Sequence, residues 1–324
     1  MLPNFSHVRA RNLKEAIQHL SSPGAVLLAG GTDLLGCLRD QVFGAQKVVN
    51  IRHLKELQGI KETTDGGLRI GALTTLTEVA ENGKIRERYS LLARGASEAA
   101  SPQLRHQGTI AGNICQKPRC WYYRGEFHCL RKGGDHCYAF NGENQYHCIF
   151  GGQSCYIVHP SDTAPALAAL DAKVRIVGPK GMRTIPLEKF HVPPALDPRR
   201  ETVMGQNEIV TEIFLPPSPK GLRTSYRKVR ARNSWDFAIA GIALALRFQE
   251  GQVTGARAVL SGAAPVPWRA KEIEKVIVGS RLDRETIAKA LDAEMKNAQP
   301  LEHNGYKVPL FRGMIEEELS AIQS

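Results

Sequence analysis

Six of the seven cysteines, Cys115, Cys120, Cys129, Cys137, Cys148 and Cys155, crowd into one short stretch that also carries His128, His136 and His147. Thiols and imidazoles at that density point to metal-ligand chemistry, with free buried thiols and disulfides as the competing uses. The odd cysteine count and the lack of a signal segment disfavour disulfides. Zinc normally draws on C-x(2–4)-C knuckles, and the successive spacings here are C-x4-C, C-x8-C, C-x7-C, C-x10-C and C-x6-C. An iron–sulfur cluster tolerates wide spacing in loops, because the cluster itself orders the chain. On spacing alone, zinc and a cluster both remain open, and Cys37, far from the others, reads as a core thiol.

Two glycine-bearing turns form the second candidate, Leu28-Ala29-Gly30-Gly31-Thr32-Asp33-Leu34 and Thr109-Ile110-Ala111-Gly112-Asn113. Each follows or sits in a strand pattern, and the first opens a helix. Backbone N–H groups at Gly30 to Asp33 can face an anion with no side chain in the way, and Thr32 and Thr109 add hydroxyl donors. Tight turns that need glycine only for positive φ are the simpler reading of either one. Two in one region favour a phosphate-bearing ligand.

Other chemistries lack their usual supports. No two glycines are separated by a single residue, so the dinucleotide fingerprint G-x-G-x-x-G is absent, as are G-x-x-x-x-G-K-[ST], H-E-x-x-H and G-x-S-x-G. His159, Ser161 and Asp162 lie too close in sequence for a catalytic triad, and Pro160-Ser161-Asp162 reads as a helix-capping turn. The net charge of +11 is scattered, without the basic run and interleaved aromatics of a nucleic-acid footprint. The longest apolar run, Phe237 to Leu246, is far short of the ~20 residues that span a bilayer, so no membrane association is expected. The N-terminus has neither an apolar h-region nor a twin-arginine pair, and a cytoplasmic location follows as the expectation.

The elements that position these groups read as α+β. Asn12 caps a helix carrying Leu13, Ala16, Ile17 and Leu20; strands are expected at 25–29, 47–51 and 67–73, with helices at 74–81 and 91–100. Between residues 115 and 155 apolar periodicity disappears, so this stretch cannot build a core of its own. Regular structure resumes with a helix at 164–170 and strands at 173–177 and 209–215. The proline-rich Leu215 to Gly221 marks a boundary between domains 1–218 and 219–324. Beyond it, strands at 225–229, 238–248 and 253–261 precede helices at 270–278, 284–297 and 313–322, an antiparallel sheet with helices. Tyr226 to Arg232 places alternating basic side chains on one strand face.

Taken in order, LLAGGTDLL (27–35), SPQLRHQGTIAGNI (101–114), HPSDTAPALAALDA (159–172) and YRKVRARNSWDFAIAGIALAL (226–246) resemble the FAD-binding subunit of the xanthine dehydrogenase, or molybdenum hydroxylase, family. The resemblance implies a two-part FAD-binding domain of the vanillyl-alcohol-oxidase (PCMH) type, followed by a small domain like the C-terminal part of the CO dehydrogenase flavoprotein. It implies that Leu28, Ala29, Gly30, Gly31, Thr32, Asp33 and Leu34, with Thr109, Gly112 and Asn113, cradle the FAD pyrophosphate, and that Asp162 and Lys228 lie near the flavin end. The cysteine-rich insertion at about 115–156 resembles that of the β subunit of 4-hydroxybenzoyl-CoA reductase and of the flavin subunit of bacterial aldehyde oxidoreductases. By that likeness it holds one [4Fe–4S] cluster on Cys120, Cys129, Cys137 and Cys155. Cys115 and Cys148 fall where the family does not require cysteine, and Cys148 lies nearly as close to the HPSD turn as Cys155.

The implied function is electron relay between an external carrier and a complex with a molybdopterin-binding large subunit and a [2Fe–2S] small subunit. A zinc-stabilised nucleotide-binding module without redox activity is the rival. A self-sufficient flavin oxidase would need a substrate domain larger than the last ~100 residues provide.

Overall fold

The computed structural model describes residues 2–322. Three short strands, β1 (Ser6–Arg9), β2 (Ala25–Leu28) and β3 (Lys47–Asn50), form a parallel sheet in the order β1-β3-β2. The parallel pairing of β2 with β3 needs a crossover, supplied by helix α2 (Leu34–Arg39) after the first glycine turn. Helix α1 (Leu13–Leu20) begins where expected, with the Asn12 side chain accepting the Glu15 N–H.

A second, antiparallel sheet has the order β4-β5-β8-β6-β7, from Ile60–Glu62 (β4), Leu68–Gly71 (β5), Lys173–Gly178 (β6), Gly181–Pro186 (β7) and Ile209–Leu215 (β8). Its core is shared by helices α3 (Leu76–Glu81), α4 (Gly83–Arg88), α5 (Ser90–Ser97) and α7 (Ile110–Ile114), while α6 (Pro102–Gln107) between them buries no residue. Thr75 opens α3 with a full capping box, its hydroxyl accepting from Glu78 N while the Glu78 carboxylate takes the Thr75 N–H. After α7 the chain has only one short α-helix, α8 (Trp121–Arg124), and a single 3₁₀ turn before α9 (Thr163–Ala169). The sequence's loss of periodicity there is borne out.

The third sheet is antiparallel and ordered β12-β11-β10-β9, from Leu222–Val229 (β9), Ala240–Gln249 (β10), Gln252–Ser261 (β11) and Trp268–Arg269 (β12). Strand alternation divides its two faces. Ile242, Leu244 and Leu246 of β10 enter one core with helices α10 (Lys271–Ile277), α11 (Arg284–Met295) and α12 (Lys307–Ala321). Ala243 and Ala245 face the other way, toward the alanine-rich α9. Small side chains on both surfaces allow that close approach.

Several boundaries differ from the sequence reading. Helix α12 starts at Lys307 rather than 313, because Pro309 lies in its first turn, where its missing N–H costs nothing. The segment Thr109 to Asn113, read as a turn at the end of a strand, is the cap and body of α7. Strands β1, β4, β7 and β12 were not foreseen; β4 is three residues long and β7 largely exposed, so neither has a strong apolar alternation.

Candidate functional site

The two glycine turns meet. Thr109 pairs with Thr75 across an isolated bridge, Leu76 N–H donates to Gly108 at 2.9 Å, and Ile110 N–H donates to Thr74 at 2.9 Å. These bonds tie the Gly108–Thr109 corner to the start of α3, and the first glycine turn packs against the residue before that corner, where a Cβ on Gly30 would lie 2.0 Å from the carbonyl oxygen of Gln107. Only glycine fits at that contact. Gly31 next to it has φ +76°, the left-handed region that glycine enters without strain.

Between and beside the turns lies a cavity of about 810 Å³, within the size range of cofactor sites. Ala29, Gly30, Gly31, Thr32, Asp33 and Leu34 line one side; Thr109, Gly112 and Asn113 line another; Asp162 contributes a third. Leu28 does not line it, and its side chain packs against the layer of Leu38, Ala45 and Val48. The Thr109 hydroxyl is occupied as the α7 cap, accepting from Gly112 N at 3.1 Å. Asn113 Oδ1 accepts from the hydroxyls of Ser161 at 2.5 Å and Thr163 at 2.6 Å, fastening α7 to the turn before α9. Ser161 is also the α9 cap, through Ala164 N at 2.9 Å, and Asp162 makes no capping bond.

That leaves the Asp162 carboxylate for another use. It accepts from Lys228 Nζ at 2.8 Å and from Tyr226 OH at 3.1 Å. The Lys228 side chain is wholly buried behind Asp162 and is not part of the cavity wall; its amine also donates to Glu98 O at 3.1 Å. Burial pushes the Asp162 carboxyl up, and the Lys228 ammonium and two hydrogen bonds pull against that. Tyr226 and Lys228 share a face of β9, which ends at Val229, so the strand face expected to run to Arg232 stops short; Arg230, just past the end, reaches Glu98 at 2.8 Å, and these contacts dock the third sheet on α5 and α9. Lys228→Met should cost about 3–5 kcal/mol by leaving the Asp162 charge buried and unpaired. Adding Asp162→Asn should recover part of the loss, read as thermal unfolding midpoints of the three variants.

A second buried pair gives a pH dependence. The rings of His159 and His191 stand 4.3 Å apart at centroids, both 6% exposed, and His191 Nε2 lies 2.9 Å from the Ile114 carbonyl. Burial lowers the pKa of His191 to about 4 and that of His159 well below its usual value. The unfolded chain therefore binds more protons than the folded chain between about pH 6.5 and 4. Stability is full above pH 6.5 and falls by about 1.4 kcal/mol per pH unit for each histidine as the pH drops through that window. Unfolding midpoints measured from pH 7 to 5 should show this slope, and His191→Phe should make it shallower.

The insertion is bound to the first glycine turn by Asp33. Its carboxylate pairs with Arg119 and with Arg124, the latter at 2.7 Å, and accepts the Lys117 N–H at 2.7 Å. Burial raises the Asp33 pKa, but the two guanidinium groups outweigh it and hold the carboxyl below its ordinary range. Asp33 is thus on the cavity wall with its charge committed to the insertion. Glu201, absent from the sequence reading, does the same from the far side: it lines the cavity and pairs with Lys117 and, at 2.6 Å, with Arg131. Trp235 and Phe237, from the loop joining β9 to β10, also reach the wall, with Arg119 5.2 Å from the Phe237 ring centre. Both aromatics lie in the quoted 226–246 motif, but nothing in their spacing marked them.

Inside the insertion the four matched cysteines are neighbours. The thiols of Cys137 and Cys155 are coupled, and with the Arg131 guanidinium beside Cys155 the pKa of Cys155 is lowered and that of Cys137 raised. Cys120 is raised to about 11, chiefly by burial, and feels both Cys155 and Cys129. Cys148 is buried near Lys307, its backbone held by Tyr156 O and Asn304 Nδ2, and burial raises its thiol. Cys115 lines the cavity with its thiol pushed up to about 12 by burial, and Cys37 is fully buried with its pKa raised to about 11. Among the described residues no three Cys, His, Asp or Glu side chains converge on the position of one metal ion. Four thiol side chains are the donor type of a four-iron cluster, whose thiolates sit on separate irons rather than in the ~2.3 Å shell of a single zinc.

Two family models cover nearly the whole chain: the FAD binding domain in molybdopterin dehydrogenase matches residues 3–218, and the CO dehydrogenase flavoprotein C-terminal domain matches residues 224–319. The chain belongs to the FAD-binding subunits of the molybdenum hydroxylases. It is 34% identical to the aldehyde oxidoreductase FAD-binding subunit PaoB of Escherichia coli K12, over 98% of this chain and 97% of that one. The xanthine dehydrogenase FAD-binding subunit of Escherichia coli O157:H7 is 29% identical over 91% of this chain and 86% of its own. Among solved structures, carbon monoxide dehydrogenase from Hydrogenophaga pseudoflava, in a form lacking the Mo-pyranopterin moiety, superposes with a TM-score of 0.79 at 26% identity, covering 99% and 98% of the two chains. The two-part architecture expected of the family is therefore present, and the chain is an FAD-binding oxidoreductase subunit. No helix among the described residues is long and apolar enough to cross a membrane.

Proposed function

We propose that this subunit carries FAD in the cavity on the glycine turns and one [4Fe–4S] cluster on Cys120, Cys129, Cys137 and Cys155. In this reading it relays electrons in a cytoplasmic heterotrimer, between an external carrier and partners holding molybdopterin and [2Fe–2S] clusters. FAD, when bound, exchanges one or two electrons and so joins a two-electron oxidation to one-electron carriers. The protein's own residues do the positioning. Gly30, Gly31, Thr32, Gly112 and Asn113 offer a backbone cradle for a pyrophosphate, and the aromatic loop at Trp235 and Phe237 covers the wall. Residues 1–218 serve as the flavin domain and 219–324 as the smaller domain.

The observation that carries the reading is the bond set of Asp33, which sits in the turn under the cavity and grips Arg119 and Arg124 on either side of Cys120. One carboxylate thereby fixes the distance between the two redox sites. The oxidised substrate belongs to the partner subunit, and aldehyde is the first class to try, given the name of the PaoB relative. Anaerobic addition of an aldehyde to the assembled complex should bleach the flavin and cluster absorbance, while the chain alone stays coloured. Bleaching of the isolated chain would make it a self-sufficient flavin enzyme, and an unbleached complex that still turns over would remove it from the electron path.

A further inference from the structure

Three histidines lie in the insertion. His128 and His136 are exposed, and the His136 ring bonds to its neighbour Asp135. His147 is different: it is 4% exposed, and its Nε2 lies 3.3 Å from Cys120 Sγ. A thiolate only accepts hydrogen bonds, so contact with one places the proton on Nε2 and leaves Nδ1 as the lone pair, in keeping with Nδ1 having no partner. The ring is held edge-on to Trp121 at 5.8 Å. Its backbone carbonyl accepts from the fully buried Lys307 Nζ at 3.0 Å and from Asn304 Nδ2 at 3.2 Å. A buried lysine and an asparagine of the smaller domain thus fix one imidazole against one sulfur.

Arg131 has the matching relation to a second sulfur. Its side chain is 2% exposed and tied to Glu201 at 2.6 Å, and its guanidinium charge lies beside Cys155, holding that thiol's pKa down. Hydrogen bonds and positive charge aimed at cluster sulfurs stabilise the more negative, reduced state and so raise the potential. We propose that His147 and Arg131 are positioning residues that raise the reduction potential of the cluster, His147 by an N–H bond to Cys120 and Arg131 by its buried positive charge beside Cys155. The inference rests on the cluster reading above.

The test is a redox titration of the full chain, followed by electron paramagnetic resonance, with iron counted in every sample. His147→Phe keeps the aromatic bulk and removes the donor. It should make the cluster about tenfold harder to reduce, a drop of about 59 mV for a one-electron couple. Arg131→Met should shift it the same way. His147→Gln, which retains a donor, and Arg131→Lys, which retains the charge, should stay near the wild type. Full iron with an unmoved potential in His147→Phe and Arg131→Met would overturn the inference. So would loss of iron from both His147→Phe and His147→Gln, since His147 would then be needed to hold the metal. A wild-type chain without iron would instead sink the cluster reading itself.

Discussion

Replacing Gly30 by alanine is expected to empty the flavin site while leaving most of the fold in place. The added methyl would lie 2.0 Å from the Gln107 carbonyl oxygen, a backbone atom that cannot rotate away. The two glycine turns must then separate, and the pyrophosphate cradle depends on their contact. Overpacking of this kind costs about 1–3 kcal/mol, well within what a domain of this size can lose. The loss falls on the one contact that shapes the site, so flavin occupancy should drop at least tenfold. Gly36→Ala is the control: it lies in α2 with nothing within 4 Å of the new methyl, and a helix interior gains up to about 1 kcal/mol from the change. Absorbance ratios of the two purified variants decide the matter. Equal flavin in Gly30→Ala and Gly36→Ala would mean that the turns are scaffolding and the ligand is held elsewhere.

Cys155→Ser should remove the cluster, and Cys148→Ser should not. Cys155 stands in contact with Cys137 and Arg131, whereas Cys148 is closed off under Gly152 and near Lys307. Losing one of four ligands lowers iron by about a whole cluster, because a cubane needs four thiolates. Flavin should remain bound in both variants. If Cys148→Ser loses the iron and Cys155→Ser keeps it, the ligand assignment is reversed and the Arg131 contact loses its significance.

Much of the scaffold was legible because its signals are local. Asn12 with the apolar spacing of Leu13 to Leu20 announces α1, and the two-residue alternation of Ile242, Leu244 and Leu246 against Ala243 and Ala245 announces a strand with two buried faces. The cysteine insertion declared itself by losing periodicity. What stayed hidden depends on contacts distant in sequence. Asp33 looked like a ligand-binding residue of its turn, yet Arg119 and Arg124, some ninety residues on, take its charge. Lys228 looked like a flavin neighbour and lies behind Asp162 as a buried bridge between sheet and helices. Glu201 sits in a loop with no pattern of its own, and its place between Arg131 and the cavity emerges only when residues 115–156 fold against it.

The most direct test of the account is a count of iron, acid-labile sulfide, zinc and FAD on the chain purified without oxygen. Close to four iron and four sulfide per FAD are expected, with zinc near zero. Zinc in place of iron would contradict this, reducing the insertion to a structural site on an otherwise ordinary flavin subunit.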